Sequence, residues 1–261
     1  MIEPLTHVDG LLLDIDGVLA TSWEPIPGSL DAMRWIRNAQ MSFRLITNTT
    51  THTRAELAAT LAAAGFDVAA GEIITAVAAT ATYLREHHPD APVYVLSDGD
   101  ASEDLTGIEV VPTQEAAEVI VIGGACEAFS YDAMNRIFRR LMDGASLVGM
   151  HRNLFWRTSR GWELDGGAYV AGLEEASGVR ATICGKPAPA YFASALSALG
   201  VRAAGVVMVG DDIVNDILGA QAAGLRAIQV RTGKFREADR DKGVPDRVID
   251  ALGDLPSLLG G

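Results

Sequence analysis

Acidic residues that are able to hold a metal ion occur in two short motifs of the chain. The first motif contains Asp14 and Asp16, and the second contains Asp211 and Asp212, with Asp216 five residues beyond Asp211. Carboxylates gathered at one site repel one another unless a cation lies between them. Mg²⁺ prefers oxygen ligands and keeps positions open for water and phosphate. The motifs therefore predict a Mg²⁺ site with Asp14, Asp16 and Asp211 as ligands and with Asp212 and Asp216 behind them.

The first motif also offers the groups that phosphoryl transfer needs. A carboxylate at Asp14 can attack phosphorus, which divides one difficult displacement into two steps through an aspartyl-phosphate. Asp16 is placed to protonate the leaving oxygen and then to deprotonate the hydrolytic water. Gly17, where the chain turns, is expected to bring its backbone N–H close to a phosphate oxygen. Asp14 and Asp16 are therefore the predicted catalytic residues.

Three other polar residues are predicted to bind the phosphoryl group together with Gly17. Thr47 and Asn48 follow one predicted strand, and Lys186 lies in a Gly-Lys-Pro sequence after another. A hydroxyl and a point charge suit the oxygens of a phosphoryl group in the transition state. Each motif alone is more typical of a turn or a helix cap. Their joint occurrence, in this order and each after a predicted strand, favours a phosphate site.

The elements that must position these residues alternate between strand and helix. Short apolar runs without helical period indicate buried parallel strands, and alternating β and α units indicate a mostly parallel sheet with helices on both faces. The predicted fold is α/β: a doubly wound, mostly parallel, Rossmann-like core domain (residues 1–77 plus 184–261) with an inserted, smaller α/β cap domain (78–183). In the core we predict strands at 11–15, 43–47, 206–209 and 227–230 and helices at 29–39 and 215–223. A strand at 181–184, at the limit between the cap and the core, is predicted to resume the β and α alternation of the core. In the cap we predict a helix at 131–142, strands at 93–97, 108–111 and 119–122 and a strand pair at 147–163.

Composition limits the classes of partner. The net charge of −13 opposes nonspecific binding to nucleic acid or to anionic membranes, and the two cysteines give no disulfide framework. We find no spanning apolar segment and no secretory signal, so we expect a cytoplasmic protein. The expected partner is a small phosphorylated substrate, without nucleic acid or membrane, and whether the chain forms a homodimer is left open.

The predicted cap contains a basic segment that opposes the charge of the whole chain. Residues 136–160 include six Arg, one Asp and His151, which gives the segment a charge of about +5 in a chain of −13. His151, Arg152, Trp156 and Arg157 surround the proposed strand pair. They are the candidates for contacts that set substrate specificity, and a solvated surface is the alternative.

Other functions are compatible with parts of this pattern. A Walker-type nucleotide site is excluded because Gly185-Lys186 is followed by Pro187 rather than by Ser or Thr. A non-enzymatic receiver-like module, phosphorylated on a strand-end Asp, would not need an inserted cap or Asp16. A phosphomutase, in which Asp14 would pass the phosphoryl group back to a sugar, would differ from a phosphatase only in its product.

The four motifs resemble those of haloacid-dehalogenase phosphatases. The resemblance rests on segments 14–19, 46–48, 185–187 and 209–212 with Asp216, and the insertion is similar to the C2-type cap of subclass IIA, the NagD-like phosphatases. Segments 129–131, 141–145 and 210–236 are most similar to the phospholysine phosphohistidine inorganic pyrophosphate phosphatase group and its hydrolase-domain-containing relatives.

This resemblance implies a Mg²⁺-dependent phosphohydrolase that forms an aspartyl-phosphate. Thr49 stands where the subclass often has Asn, and members of the nearest group can carry Ser in place of Asp16. Because a poor alkoxide leaving group needs a proton donor, Asp16 favours a small phosphomonoester substrate. Hydrolysis of pyrophosphate or of a phosphoamide is the alternative.

Overall fold

The structure, a computed structural model, describes Leu5 and residues 7–158 and 161–260. For Arg157 and Thr158 it describes the backbone alone. The chain divides into two compact units. The first contains the residues up to Thr47, Arg54–Ile74 and the residues from Pro187 onward, and the second contains Asn48–Thr53 and Thr75–Lys186. The domain limits expected from the sequence, 77/78 and 183/184, stay a prediction.

Regular elements alternate along the described chain. The strands are β1 (Gly10–Asp14), β2 (Ala20–Thr21), β3 (Glu24–Pro25), β4 (Ser42–Thr47), β5 (Ile73–Thr75), β6 (Val93–Leu96), β7 (Val119–Ile122), β8 (Ser146–Gly149), β9 (Phe155–Thr158), β10 (Gly161–Leu164), β11 (Thr182–Ile183), β12 (Val206–Gly210), β13 (Arg226–Val230) and β14 (Arg247–Ile249). The helices are α1 (Ser29–Asn38), α2 (Arg54–Ala63), α3 (Ala76–His87), α4 (Tyr131–Met142), α5 (Gly166–Ser177), α6 (Pro189–Leu199), α7 (Gly219–Ala222) and α8 (Leu255–Leu258).

The first unit is built on a sheet whose strand order is β14-β13-β12-β1-β4-β5. The pairs β1–β4, β1–β12, β12–β13 and β13–β14 are parallel. Every residue of β1 and β12 is buried, as expected for central strands covered on both faces. Because the strands are parallel, their carboxyl ends meet at one edge of the sheet, where ligands bind in folds of this kind.

Helix α1 shows how the first unit covers its sheet. Ala32, Met33 and Ile36 lie on one face of the helix and are buried in the same apolar cluster as Leu11 and Leu13 of β1. This spacing of three and four residues is the helical period that the sequence pattern predicts.

The second unit contains a separate parallel sheet and an antiparallel hairpin. Its sheet has the order β11-β8-β7-β6, and β9 pairs with β10 in the hairpin. Helix α4 coincides with the helix predicted over residues 131–142. The mostly parallel α/β fold class is confirmed.

Four local predictions are corrected. Strand β11, assigned to the core sheet, pairs with β8 in the second unit. Residues 108–111, predicted as a strand, make an isolated bridge from Val110 to Val93 instead. The strand pair expected over 147–163 is the parallel strand β8 followed by the hairpin. The helix expected over 215–223 begins as a π-helical segment, Ile213–Leu218, before α7.

Among the residues that the structure describes, none of the helices combines the length and the apolar character that crossing a membrane requires.

Candidate active site

Three carboxylates meet at the carboxyl edge of the first sheet. Asp14 is the last residue of β1, Asp211 follows the end of β12, and Asp216 lies in the π-helical segment that comes next. Because β1 and β12 are paired in parallel, their ends lie side by side. Asp14, Asp211 and Asp216 are all buried and each offers an oxygen within 4.8 Å of the others. This arrangement suits the binding of a cation.

Asp211 has the environment of a metal ligand. Its side chain is 1% exposed, and burial together with the charges of Asp14 and Asp216 raises its pKa well above that of an ordinary Asp. Its Oδ2 accepts a hydrogen bond from the Lys234 backbone N–H at 2.6 Å. Among the described residues its buried Oδ1 has no hydrogen-bond partner. A cation bound at Oδ1 would supply that partner, so these residues fit a divalent metal.

We expect Asp211→Asn to raise the Tm of the metal-free protein at pH 7, because the amide removes a buried charge that its neighbours repel. Because the pKa of Asp211 is raised in the folded state, its carboxyl destabilises the fold only at pH values above the ordinary pKa of Asp, about 4. The stabilisation that Asp211→Asn brings should therefore fade as the pH falls toward that value. Thermal unfolding in the presence of a chelator measures the effect. A lower Tm for Asp211→Asn at pH 7 would contradict it.

The other two acids of the second motif hold backbone groups. Asp216 Oδ2 accepts the N–H groups of Asp211 at 3.2 Å and Asp212 at 3.0 Å. Asp212 caps the following segment by accepting from the N–H groups of Val214 at 2.9 Å and Asn215 at 3.0 Å. Burial acts to raise the pKa of Asp212, but the hydrogen bonds from Asn215 and the charge of Lys234 lower it overall. Asp212 is therefore an ionised helix cap.

Asp16 and Gly17 form the turn after β1. The structure places the exposed Asp16 carboxylate outside the group of Asp14, Asp211 and Asp216. The Gly17 N–H, expected to bind a phosphate oxygen, donates to the Ala20 carbonyl at 2.8 Å instead. Gly17 has φ +83°, and a Cβ there would collide with the Asp211 carboxylate. The glycine is needed for this close approach and for its backbone conformation.

Thr47 is buried at the end of β4, where a tyrosine from α6 holds its backbone. The Tyr191 hydroxyl accepts from the Thr47 N–H at 3.1 Å and lies 2.7 Å from the Ile74 carbonyl, to which it donates. Tyr191 was not expected from the sequence. Its position soon after the Gly-Lys-Pro motif is the only feature of the sequence that could have indicated a role near the site.

Asn48 and Lys186 are joined to each other in the second unit. The Asn48 side chain donates to the Lys186 carbonyl at 2.9 Å and accepts from the Lys186 N–H at 2.8 Å. Lys186 is buried and follows β11, a strand of the second sheet. The expectation that Lys186 follows a strand of the core sheet is therefore corrected, whereas its role in phosphate binding stays a prediction.

Lys234 is a functional candidate that the motif analysis missed. It follows β13, beside β12, so the rule that ligand-binding residues lie after parallel strands pointed to it. Residue 234 is exposed, and the protein around its ammonium group removes only part of the water. This partial desolvation acts to lower the pKa of the ammonium group, but the charges of Asp211, Asp14 and two further acids raise it overall. Lys234 is a cation facing the carboxylates of the first unit.

The four specificity candidates lie in the second unit, in different environments. His151 is buried, its Nδ1 accepts from the Asn153 N–H at 3.3 Å, and its Nε2 is 3.8 Å from Asp165. Trp156 is exposed on the hairpin. The side chain of Arg157 lies outside the described residues. Their contacts with substrate stay predictions.

Arg152, the remaining specificity candidate, pairs with Glu174, whose side chain is 4% exposed. The hydrogen bond from Arg152 outweighs burial and lowers the pKa of Glu174. This pair could not be predicted from local sequence spacing, since the partners are 22 residues apart. Arg152 therefore has a structural role whether or not it contacts substrate.

Arg152→Ala is expected to destabilise the protein by about 1 to 2 kcal/mol at pH 7, because it leaves the buried Glu174 carboxylate without the guanidinium that pairs with it. The loss is limited because solvent reaches the Arg152 side chain and weakens the interaction. The lowered pKa of Glu174 means that the pair stabilises the fold above the ordinary pKa of Glu and loses this effect as the pH falls through the lowered value. Denaturant unfolding at pH 7 and at a pH below the lowered pKa of Glu174 measures the contribution of the pair to the free energy of unfolding. Arg136→Ala, which breaks an exposed pair with Asp132, is the control. Equal effects of the two changes would contradict the prediction.

The fold and this group of carboxylates are those of a phosphatase with a parallel-sheet core. Residues 11–110 match the family described as haloacid dehalogenase-like hydrolase, and residues 183–255 match the description HAD-hydrolase-like. The chain is 38% identical over 265 residues to phospholysine phosphohistidine inorganic pyrophosphate phosphatase of Rattus norvegicus, covering 98% of this chain and 96% of the relative.

Solved structures show the same likeness. A p-nitrophenyl phosphatase from Archaeoglobus fulgidus matches with a TM-score of 0.88 and 26% identity, covering 96% of this chain and 98% of that one. NagD from E. coli K-12 matches with a TM-score of 0.85 and 26% identity, covering 95% and 98%. The chain belongs to the haloacid dehalogenase-like hydrolase family and is a phosphatase of the NagD-like type. The non-enzymatic receiver-like alternative is set aside.

Proposed function

We propose that the chain is a Mg²⁺-dependent phosphohydrolase that acts on a small phosphomonoester through an aspartyl-phosphate on Asp14. The observation that carries this proposal is the buried group of Asp14, Asp211 and Asp216 at the ends of parallel strands, with the Asp211 Oδ1 atom lacking a partner among the described residues. Asp14 and Asp211 would hold the ion, and Asp216 would orient Asp211 through its backbone N–H. The bound ion would neutralise charge on the phosphoryl oxygens.

The reaction divides into two displacements with Asp16 as the proton carrier. In the first, an Asp14 oxygen forms a bond to phosphorus, the bond to the leaving oxygen breaks, and that oxygen takes a proton from Asp16. In the second, water loses a proton to Asp16 and attacks phosphorus, which releases phosphate and restores the Asp14 carboxylate. Asp16 is exposed on the turn after β1, where both substrate and water can reach it.

Binding of the phosphoryl group is assigned to residues after several strands. Thr47, with its backbone held by Tyr191, offers a hydroxyl, and Lys186, with its backbone held by Asn48, offers a positive charge. The Gly17 N–H is not included, because it donates within its own turn. Gly17 supports the site through its close approach to Asp211.

Pyrophosphate or a phosphoamide is the second candidate substrate. It is favoured by the 38% identity with phospholysine phosphohistidine inorganic pyrophosphate phosphatase of Rattus norvegicus. These substrates have better leaving groups than an alkyl phosphate and depend less on a proton donor. The presence of Asp16 favours the phosphomonoester. Phosphate release from glycerol phosphate, pyrophosphate, phosphohistidine and p-nitrophenyl phosphate, assayed side by side, decides between the candidates.

Removal and replacement of the ion test the proposal directly. We expect excess chelator to abolish phosphate release, Mg²⁺ to restore it, and Ca²⁺ to inhibit, because the larger and more flexible shell of Ca²⁺ misplaces the nucleophile and the phosphate. Binding of Mg²⁺ at about a hundred times its Kd should also stabilise the fold by about 2.7 kcal/mol. Full activity in excess chelator would refute the metal site.

A further inference from the structure

The turn that follows β13 makes three contacts with the candidate active site. The Thr232 hydroxyl donates to the Gly17 carbonyl, Gly233 packs against Gly17, and the Lys234 backbone N–H donates to Asp211 Oδ2 at 2.6 Å. One short segment thus touches both the loop that follows the nucleophile and the buried metal-site carboxylate.

The contact with Asp211 occupies one of its two carboxylate oxygens and leaves the other without a partner among the described residues. Lys234 satisfies Oδ2, while Oδ1 has no hydrogen-bond partner in the described part of the chain. The Gln229 side chain, from β13, also donates to the Asp211 carbonyl at 3.0 Å. The backbone and the side chain of Asp211 are therefore both held from β13 and its turn, with one oxygen left for a cation.

Gly233 permits this approach because it has no side chain. Its φ is +60°, and a Cβ there would lie 2.6 Å from Gly17 Cα and 2.9 Å from Asp211 Cγ. Gly17 has the reciprocal constraint, since its own Cβ would lie 2.9 Å from Gly233 Cα. Two glycine backbones are packed against each other beside one carboxylate, so a single methyl group would force Asp211 or the Gly17 turn to move.

We propose that Thr232, Gly233 and Lys234 form a positioning turn, which orients Asp211 for the metal ion and holds the loop that carries Asp16. The inference rests on the proposed function, because it assigns to these residues the support of that metal site and that proton carrier. In this role Thr232, Gly233 and Lys234 do not have to contact the substrate or the metal ion. Their effect is transmitted through Asp211 and through the Gly17 carbonyl.

Gly233→Ala tests the part of the turn that faces Asp211. Its matched control is Gly224→Ala at the other end of β13, since Gly224 has φ +81° and open space around its Cβ position. Both changes strain the backbone, but only Gly233→Ala meets Asp211. We expect calorimetric titration with Mg²⁺ to show affinity about tenfold or more weaker for Gly233→Ala and unchanged for Gly224→Ala, although both lower Tm.

Thr232→Val tests the part of the turn that holds the Asp16 loop. Because valine keeps the shape of the threonine side chain, this variant remains a test even if Gly233→Ala does not fold. The change removes the hydrogen bond to the Gly17 carbonyl without touching Asp211. With p-nitrophenyl phosphate we expect kcat to fall about tenfold while the Kd for Mg²⁺ is unchanged, and Thr232→Ser to restore kcat. This division between kcat and metal affinity is not expected of a residue that only stabilises the fold.

The outcomes separate this inference from the proposed function. If the wild-type protein binds no Mg²⁺, both are overturned. If the wild type binds Mg²⁺ and Gly233→Ala binds it as tightly, or weakens only as much as Gly224→Ala, the positioning role toward Asp211 is overturned while the metal site stands. If Thr232→Val keeps wild-type kcat, or loses kcat that Thr232→Ser does not restore, the role toward the Asp16 loop is overturned.

Discussion

Asp14→Asn is expected to lower kcat by about a thousandfold or more on every phosphorylated substrate, because the amide keeps the shape of the side chain but is a far weaker nucleophile toward phosphorus. The loss should not come from unfolding. Asp14 is one of the charges that raise the pKa of buried Asp211, so removing its charge relieves repulsion within the group. We therefore expect Asp14→Asn to have a Tm in chelator at least equal to that of the wild type.

Steady-state phosphate release and thermal unfolding measure both parts of this prediction. Asp31→Asn is the control, because Asp31 pairs with Arg34 on the exposed surface of α1 and should tolerate the change. Retention of a tenth of the wild-type rate by Asp14→Asn would refute the nucleophile. A large fall in its Tm would show that the carboxylate is needed for folding instead.

Asp16→Asn has the second largest expected effect, and its size should depend on the leaving group. With an alkyl phosphate we expect a loss of about 10² to 10⁴, because the leaving alkoxide needs a proton. The first step with p-nitrophenyl phosphate should be nearly normal, since p-nitrophenolate leaves without one. The second step is impaired on both substrates, because Asp16 also takes the proton of the hydrolytic water.

A pre-steady-state burst distinguishes these steps. Asp16→Asn mixed with p-nitrophenyl phosphate should release p-nitrophenol rapidly, up to about one equivalent per protein, and then turn over slowly. The exposed change Asp31→Asn should leave the kinetics as in the wild type. Equal losses on aryl and alkyl phosphates, without a burst, would refute the role of Asp16 as proton carrier.

The sequence predicts best those features that depend on local pattern. Helix α4 has the predicted bounds because an apolar face with helical period and a capping Ser130 define it locally. The buried strands β1 and β12, and the order in which they carry Asp14 and Asp211, follow from apolar runs that end in polar residues. Parallel pairing then brings these two acids together at one edge.

Features that depend on distant contacts could not be predicted in this way. The two residues of β11 carry no pattern that specifies a partner strand, so its place in the second sheet was missed. A π-helical segment stands where the start of an ordinary helix was expected, and Asp216, expected behind the metal ligands, lies in the buried group itself. The contacts of Thr232 and Gly233 with Gly17 bridge more than 200 residues of chain, beyond the reach of local spacing.

Chemical trapping of the phosphorylated intermediate tests the central claim most directly. Borohydride reduces an acyl phosphate, so an aspartyl-phosphate becomes homoserine, which peptide mass mapping can locate. After a short reaction of Asp16→Asn with p-nitrophenyl phosphate and Mg²⁺, we expect homoserine at position 14 and none when substrate or Mg²⁺ is omitted. Modification at another residue, or a burst of p-nitrophenol without modification of Asp14, would contradict the assignment of Asp14 as the group that takes the phosphoryl group.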